Sequence, residues 1–349
     1  MPLTTTTIGA YPKPESVKIP DWFDPGAMDS SVATRDYVQA IEKLGAEAEK
    51  IIAEGVRQVI EDQVACGIDI PTDGEVKREN YVHYHCRHLS GFDFDNLTHR
   101  VLRGGAYETD LPTVRGPVKA KAPFLPADWK LAQGFTDRPV KITLPGPMTI
   151  TDTTADEHYG DARALGRDLA EALNKEVLAL AEAGCRYIQI DEPLFARKPQ
   201  EALAFGLENI ERCWQGVPKG ITKTMHMCCG YPNYLDQEDY AKADPQAYFD
   251  LAKAVDESVL DAVSIEDAHR HNDLSLLDLF QQTTVIFGVV AIARSRVETV
   301  DEVRERLQAA LEHLPPERLM AAPDCGLGHL GRNLAMKKLN VLSEAAKSV

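Results

Sequence analysis

The stretch Glu182-Ala183-Gly184-Cys185-Arg186-Tyr187-Ile188-Gln189-Ile190-Asp191-Glu192-Pro193 holds one unit of the fold in miniature. It reads as a helix end, a glycine stop, a short β-rich run and two acids where the strand gives out. Upstream, Asp161–Ala183 carries Leu165, Leu169, Leu173, Val177 and Leu180 at helical spacings. A glycine just past a helix takes up the left-handed conformation that ends it. Ala65-Cys66-Gly67 makes the same stop between a helical pattern at Asp36–Cys66 and a strand at Ile68–Glu75.

Outward from this unit the alternation fills most of the chain. β-rich runs fall at Thr4–Ala10, Ile68–Glu75, Val140–Gly146, Arg186–Pro193, Thr222–Cys228, Ala262–Asp267, Thr283–Val290 and Leu319–Gly326. Further helical patterns lie at Glu201–Trp214, Asp244–Val259, Asn272–Gln282, Val300–His313 and Gly331–Ser348. Strict β-then-α order implies parallel strands with crossover helices. The eight runs favour a closed barrel over an open doubly wound sheet, and they are apolar without clean alternation, as when both faces are buried. The expected fold is α/β, a (β/α)8 TIM barrel forming a single catalytic domain over residues 1–349. Residues 77–138 break the rhythm and read as a long irregular insertion after strand 2, with a hairpin at Val101–Lys121 around Gly104-Gly105.

Composition narrows the function. The 349 residues carry 38 Lys+Arg against 54 Asp+Glu, a net charge of −16, and are 44% hydrophobic. A core is available, but the basic stripe that nucleic acid demands is not. No apolar run reaches the ~18 residues of a membrane span; the longest, Val285–Ala293, has strand length. Met1-Pro2-Leu3-Thr4 lacks a signal-peptide pattern, and seven cysteines without framework spacing point to reduced thiols in the cytoplasm. The expected partner is a small molecule.

Catalytic residues of such barrels sit at the carboxyl ends of the strands. Here those ends read Ile8-Gly9-Ala10, Asp73-Gly74-Glu75, Asp191-Glu192-Pro193, His226-Met227-Cys228, Glu266-Asp267 and Asp324-Cys325-Gly326. Residues two apart on a strand face the same side, so His226 and Cys228 can meet one ion. With Glu266 and Cys325 they form a set suited to tetrahedral Zn2+. Cys66, Cys185 and Cys213 read as buried small hydrophobes, and Cys229 points away from Cys228. The cluster His83-Tyr84-His85-Cys86-Arg87-His88 reads as solvated or hydrogen-bonding histidines rather than a metal site. Glu75 and Asp191 remain as acids for catalysis or for a substrate ammonium. Pairing with Lys77 or Arg78 is the structural alternative for Glu75. Glu192, ahead of Pro193, reads as a buried structural acid.

These residues carry a resemblance. Thr6-Thr7-Ile8-Gly9-Ala10-Tyr11-Pro12, Gly74-Glu75, Gly146-Pro147-Met148-Thr149-Ile150, Ile188-Gln189-Ile190-Asp191-Glu192-Pro193, His226-Met227-Cys228, Ser264-Ile265-Glu266 and Pro323-Asp324-Cys325-Gly326-Leu327 follow in order. Together they resemble the cobalamin-independent methionine synthase family. The resemblance spans the catalytic barrel; full-length members carry an additional N-terminal barrel, so it implies a single-barrel core form.

The resemblance implies a zinc enzyme that methylates a thiol, with His226, Cys228, Glu266 and Cys325 as ligands. Glu75 and Asp191 would hold the amino group of homocysteine, and Ile8 and Gly9 would seat its carboxylate. Several positions depart from the family: Ala10 replaces a serine that contacts the amino acid, and Thr153 a tryptophan that stacks on the pterin. Ala293 replaces a proton-donating histidine, and Pro112 an arginine that contacts folate. Zinc chemistry is retained while folate contacts are depleted. The implied methyl donor is a folate, a methyl-corrinoid protein or another methyl compound. Two other readings stand beside this one: alkylation of a different thiol, as in epoxyalkane:coenzyme M transferases, and a non-catalytic barrel that binds zinc or thiols.

Overall fold

The computed structural model describes residues 2–24, 30–102 and 107–349. The chain begins with β1 (Thr4–Thr5), α1 (Ser30–Leu44), α2 (Ala48–Ala65) and α3 (Tyr81–Arg87). The long strands β2 (Leu89–Leu102) and β3 (Tyr107–Ala120) follow, then α4 (Leu125–Gln133). Next come β4 (Lys141–Pro145), α5 (Pro147–Asp152), the short β5 (Ala155–Asp156), α6 (Ala162–Ala183) and β6 (Tyr187–Asp191). Three helices, α7 (Pro193–Arg197), α8 (Pro199–Glu201) and α9 (Leu207–Cys213), lead to β7 (Thr222–Met227). The order closes with α10 (Gln246–Asp256), β8 (Ala262–Glu266), β9 (Thr284–Val290), α11 (Val300–Ala310), β10 (Leu319–Pro323) and α12 (Arg332–Lys347).

Seven strands form one parallel sheet in the order β1-β10-β9-β8-β7-β6-β4. Its two outer strands both reach residues 70–72: Thr6 bridges Ile70 and Thr72 bridges Lys141, each in parallel. The Ile70 N–H donates to the Thr5 carbonyl (3.0 Å) and the Lys141 N–H to the Pro71 carbonyl (2.9 Å). The run expected as a strand at Ile68–Glu75 is therefore two bridges rather than a ladder, because Pro71 in its middle has no N–H to donate. Likewise, of the run Thr4–Ala10 only Thr4–Thr5 is regular strand.

Both faces of the sheet are covered. Ile142, Leu144, Ile188, Ile190, Val263 and Ile265 are 0% exposed, and so are Thr143, Gln189 and Ser264 between them, which explains the missing polar alternation. The predicted glycine stops hold: Gly67 and Gly184 follow α2 and α6 with φ of +88° and +106°. Asp161 caps α6 through the Arg163 N–H, and Thr299 with Glu302 forms a capping box on α11.

Three expectations change. The single helix expected at Asp36–Cys66 is two, broken at Gly45, whose φ of +56° no right-handed helix accommodates. Asn272–Gln282 yields only a 3-10 segment, Leu274–Leu279. The insertion at 77–138 is more ordered than its composition implies: β2 and β3 pair as an antiparallel ribbon from Leu89↔Ala120 to Leu102↔Tyr107, flanked by α3 and α4. The predicted hairpin thus lies within a longer ribbon, and its turn at Gly104-Gly105 is outside the described residues.

Candidate active site

At the carboxyl end of β7, His226 and Cys228 meet Cys325 from the loop after β10. One ligand atom from each of the three lies within 4.8 Å of the others. His226 Nε2 is 3.3 Å from Cys325 Sγ, while Nδ1 pairs with Ser264 Oγ at 3.0 Å, which fixes the ring's orientation. The two thiols compete for one proton. Beside Cys325 and the imidazole, Cys228 is held well below the ordinary thiol range, and Cys325 is raised well above it by Cys228. A divalent, borderline-soft cation suits this donor set, since it would let both sulfurs stay ionised.

Glu266, the fourth expected ligand, is buried at the end of β8 but is not one of the three clustered donors. Its Oε1 accepts the Cys229 N–H at 3.0 Å and its Oε2 meets Lys242 Nζ at 2.8 Å. Burial pushes its carboxyl up to about 7, with the charge on Cys228 adding to the effect.

The pocket above the cluster is lined by Ile8, Gly9, Ala10, Glu75, Asp191, His226, Cys228 and Cys325, so eight of the nine predicted site residues share one space. Glu75 adopts φ of +57°, a left-handed strain of the kind that concentrates at functional sites. Its Oε1 accepts from Thr143 Oγ1 (2.8 Å) and Arg78 Nη1 (3.3 Å), so the pairing with Arg78 is real, whereas Lys77 goes to Asp128. Burial raises Glu75 to about 7, against the pull of Arg78. Asp191 is raised to about 6 by burial, opposed chiefly by His226. Gly9 packs so closely that a Cβ would lie 2.8 Å from Glu75 Oε1.

Other readings resolve cleanly. Glu192 accepts from the Met148 and Thr149 N–H groups and from Thr149 Oγ1, capping α5 as a buried structural acid. Cys66, Cys185, Cys213 and Cys229 are buried. Burial raises the Cys229 thiol to about 12. His83 and His85 are buried in α3 and hydrogen-bonded rather than solvated, since the segment is a helix packed on the core. His269 lies against Asp324 (2.7 Å), next to the Cys325 loop, and His271 is exposed.

Sequence reasoning missed several contributors. Gln189 Nε2 donates to both the Ile8 carbonyl (2.8 Å) and Asp191 Oδ1 (2.7 Å), tying two strand ends together. Its alternation with Asp191 on one strand was the available signal. Trp22, Phe23, Tyr81 and Tyr231 wall the pocket, with Trp22 stacked on Tyr231 at 6.1 Å. Trp22 and Phe23 come from an irregular loop whose pattern offers no such clue.

Fold and site together define an α/β protein with a thiol-and-imidazole centre, adjoined by buried carboxylates, at the carboxyl ends of parallel strands. The sequence profile described as "Cobalamin-independent synthase, Catalytic domain" matches residues 3–348. The chain belongs to the cobalamin-independent methionine synthase family, and it is a methyltransferase of that family. A methionine synthase of Saccharolobus solfataricus is 32% identical over 355 residues, covering 99% of this chain and 95% of that protein. One from Thermococcus kodakarensis is 32% identical, covering 97% and 90%. A solved B12-independent methionine synthase from Shewanella sp. W3-18-1, in complex with selenomethionine, superposes with a TM-score of 0.86 at 30% identity, covering 100% of this chain and 98% of that one.

Proposed function

We propose that the chain is a zinc-dependent methyltransferase that moves a methyl group onto the thiol of homocysteine and releases methionine. The observation that carries this reading is one pocket in which a His–Cys–Cys donor set adjoins two buried carboxylates. His226, Cys228 and Cys325, with Glu266 as the fourth protein ligand, would hold Zn2+, which would supply a Lewis acid that keeps a thiol ionised at neutral pH. Glu75 and Asp191 take the substrate ammonium, whose charge favours their ionised forms against the burial that raises both. Ile8 and Gly9, with Ala10 beside them, offer the backbone of the loop after β1 to the carboxylate. The sulfur forms a bond to the methyl carbon, the donor–methyl bond breaks with its electron pair staying on the donor, and the thiol proton passes to solvent. The donor is a folate, a methyl-corrinoid protein or another methyl compound. Support for an amino-acid thioether as the product comes from the Shewanella relative, which was solved in complex with selenomethionine, the selenium counterpart of methionine.

The same reading treats residues 1–349 as one catalytic domain, a (β/α)8 barrel with residues 68–75 in the second strand position and an insertion at about 77–138. Seven free thiols suit a reducing cytoplasm.

The test is a mass-spectrometric thiol-methylation assay with homocysteine and methylfolate, methylcobalamin or S-methyl donors, alongside metal analysis. Purified protein should hold about one zinc per chain, and Cys228→Ser or Cys325→Ser should release it. Full zinc retention in both variants sinks the metal assignment. Glu75→Gln should weaken homocysteine binding far more than that of an amine-free thiol. Equal losses would favour a different thiol substrate.

A further inference from the structure

Each of the two pocket carboxylates has one oxygen engaged and one left over. Glu75 Oε1 accepts from Thr143 Oγ1 at 2.8 Å and from Arg78 Nη1 at 3.3 Å. Glu75 lines the pocket, yet among the described residues its Oε2 has no hydrogen bond. Asp191 repeats the pattern, with Oδ1 taken by Gln189 Nε2 at 2.7 Å.

The residue behind Glu75 is the unusual one. The Arg78 side chain is 2% exposed and does not line the pocket, so it stands one layer back from any ligand. Its Nη1 also donates to Thr143 Oγ1 at 2.9 Å, and its Nη2 is 3.6 Å from Asp73 Oδ2. Nε and Nη2 are buried without a hydrogen-bond partner among the described residues. A guanidinium cannot give up its proton, so burying it this way carries a desolvation cost that its ion pairs offset only in part. The backbone is committed to the same contact. The Arg78 N–H donates to the Glu75 carbonyl at 2.9 Å, closing a turn in which Glu75 holds its φ of +57°, and the Arg78 carbonyl accepts from Lys13 Nζ at 2.9 Å. Apolar side chains in place of a buried ion pair are often no less stable, so the cation is explained by what it does to Glu75 rather than by the fold.

We propose that Arg78 is a positioning residue for the substrate ammonium: with Thr143 it pins one oxygen of Glu75 and presents the other, ionised, to the pocket. This role rests on the reading of Glu75 as the ammonium acceptor. Burial raises the Glu75 carboxyl to about 7, and Asp191 on β6 and Asp73 on its own loop add to the rise. The Arg78 charge is the strongest opposing influence, with the Thr143 hydroxyl from β4 beside it. Tyr231, from the loop after β7, faces Glu75 as a neutral phenol whose proton is held by burial. A protonated Glu75 offers an ammonium no charge, so affinity for the amino acid falls as pH drops through about 7. Without Arg78 that fall begins at higher pH.

The experiment needs no turnover. Wild type, Arg78→Met, Arg78→Lys, Thr143→Val and Lys77→Met are titrated by calorimetry with methionine and with des-amino methionine, which keeps the thioether and the carboxylate. The readout is the ratio of the two affinities, followed from about pH 5.5 to about pH 8.5. Wild type should prefer methionine, and the preference should fall as pH drops through about 7. Arg78→Met should lower the preference roughly tenfold at neutral pH and move its midpoint up by about one pH unit or more. Arg78→Lys should recover part of both. Thr143→Val leaves the buried ion pair in place and so keeps the fold; it should lower the preference roughly threefold. Lys77→Met removes a neighbouring cation that serves Asp128 instead, and should leave the ratio unchanged. An unmoved ratio and midpoint in Arg78→Met and Thr143→Val overturn the role of Arg78 alone, as does an equal loss of both ligands in Thr143→Val. A wild type that binds the two ligands equally well overturns the reading of Glu75 as the ammonium acceptor, and the role of Arg78 with it.

Discussion

At the scale of single residues, the site is governed by how buried charges find partners. Lys242 and Glu266 satisfy each other at 2.8 Å, with side chains 14% and 5% exposed, so the carboxylate is turned to its lysine rather than to the sulfurs. On the zinc reading proposed above, removing the ammonium in Lys242→Met should free an oxygen for the metal and tighten zinc binding roughly tenfold, equivalent to about 1.4 kcal/mol. Chelator competition measures this; an unchanged affinity would dismiss Lys242 as the residue that holds Glu266. Lys141 is the opposite case. Its Nζ is buried on β4 with no hydrogen-bond partner among the described residues, and burial pulls the amine down to about 7. Between that value and the ~10.4 of an unfolded lysine, the unfolded chain holds a proton that the folded chain lacks. Stability should therefore rise with pH across that window. Lys141→Met should flatten the rise and stabilise the protein at pH 7 by about 1–3 kcal/mol, as read by urea unfolding at several pH values. A variant less stable than wild type at pH 7 would mean that the amine has a role in the fold.

At the scale of elements, helix ends are satisfied partly by their own sequence and partly by neighbours. Asp161 and Thr299 cap α6 and α11 locally, and such caps are readable from the residue types alone. α4 has no side-chain cap of its own. Glu176, on α6, accepts from the Phe124 and Leu125 N–H groups instead. Glu176→Ala should cost about 1–2 kcal/mol and Glu176→Gln much less, because the amide keeps one acceptor. Equal losses in denaturant midpoint for the two variants would remove the capping role. The same distinction explains which elements the sequence announces. β6, β7, β8 and β9 fall within a residue or two of their apolar runs, since burial on both faces leaves a continuous hydrophobic signal. The ribbon β2–β3 does not announce itself: its pairing shifts register at Ser90/Phe92 and at Asp93/Thr98, which blurs a period of two.

At the scale of the whole molecule, the ends of the chain hold each other. β1 pairs with β10, the Leu3 N–H donates to the Ala346 carbonyl at 2.9 Å, and Arg332 of α12 grips Asp62 of α2 through two bonds of 2.6 Å. Asp62 is buried and Arg332 half-exposed, so the pair fastens the last helix to an early one. Arg332→Ala should lower global stability by about 1 kcal/mol and speed amide exchange in β1 and β10 ahead of β7. Uniform exchange across the sheet would refute this local fastening.

The sequence by itself determined the β-then-α order of the sheet strands from β4 and β6 to β10, the strand ends that carry chemistry, the cysteines left to the core and the family. These follow from periodicity, from glycine stops and from residue types at fixed offsets, all set by near neighbours in the chain. Only the tertiary structure decided that His226 and Cys325, 99 residues apart, lie 3.3 Å from one another while Glu266 turns to Lys242. It likewise decided that Gln189 ties Ile8 to Asp191. The reason is physical: which buried charge pairs with which depends on distances and desolvation between elements remote in sequence, and no local pattern encodes those distances.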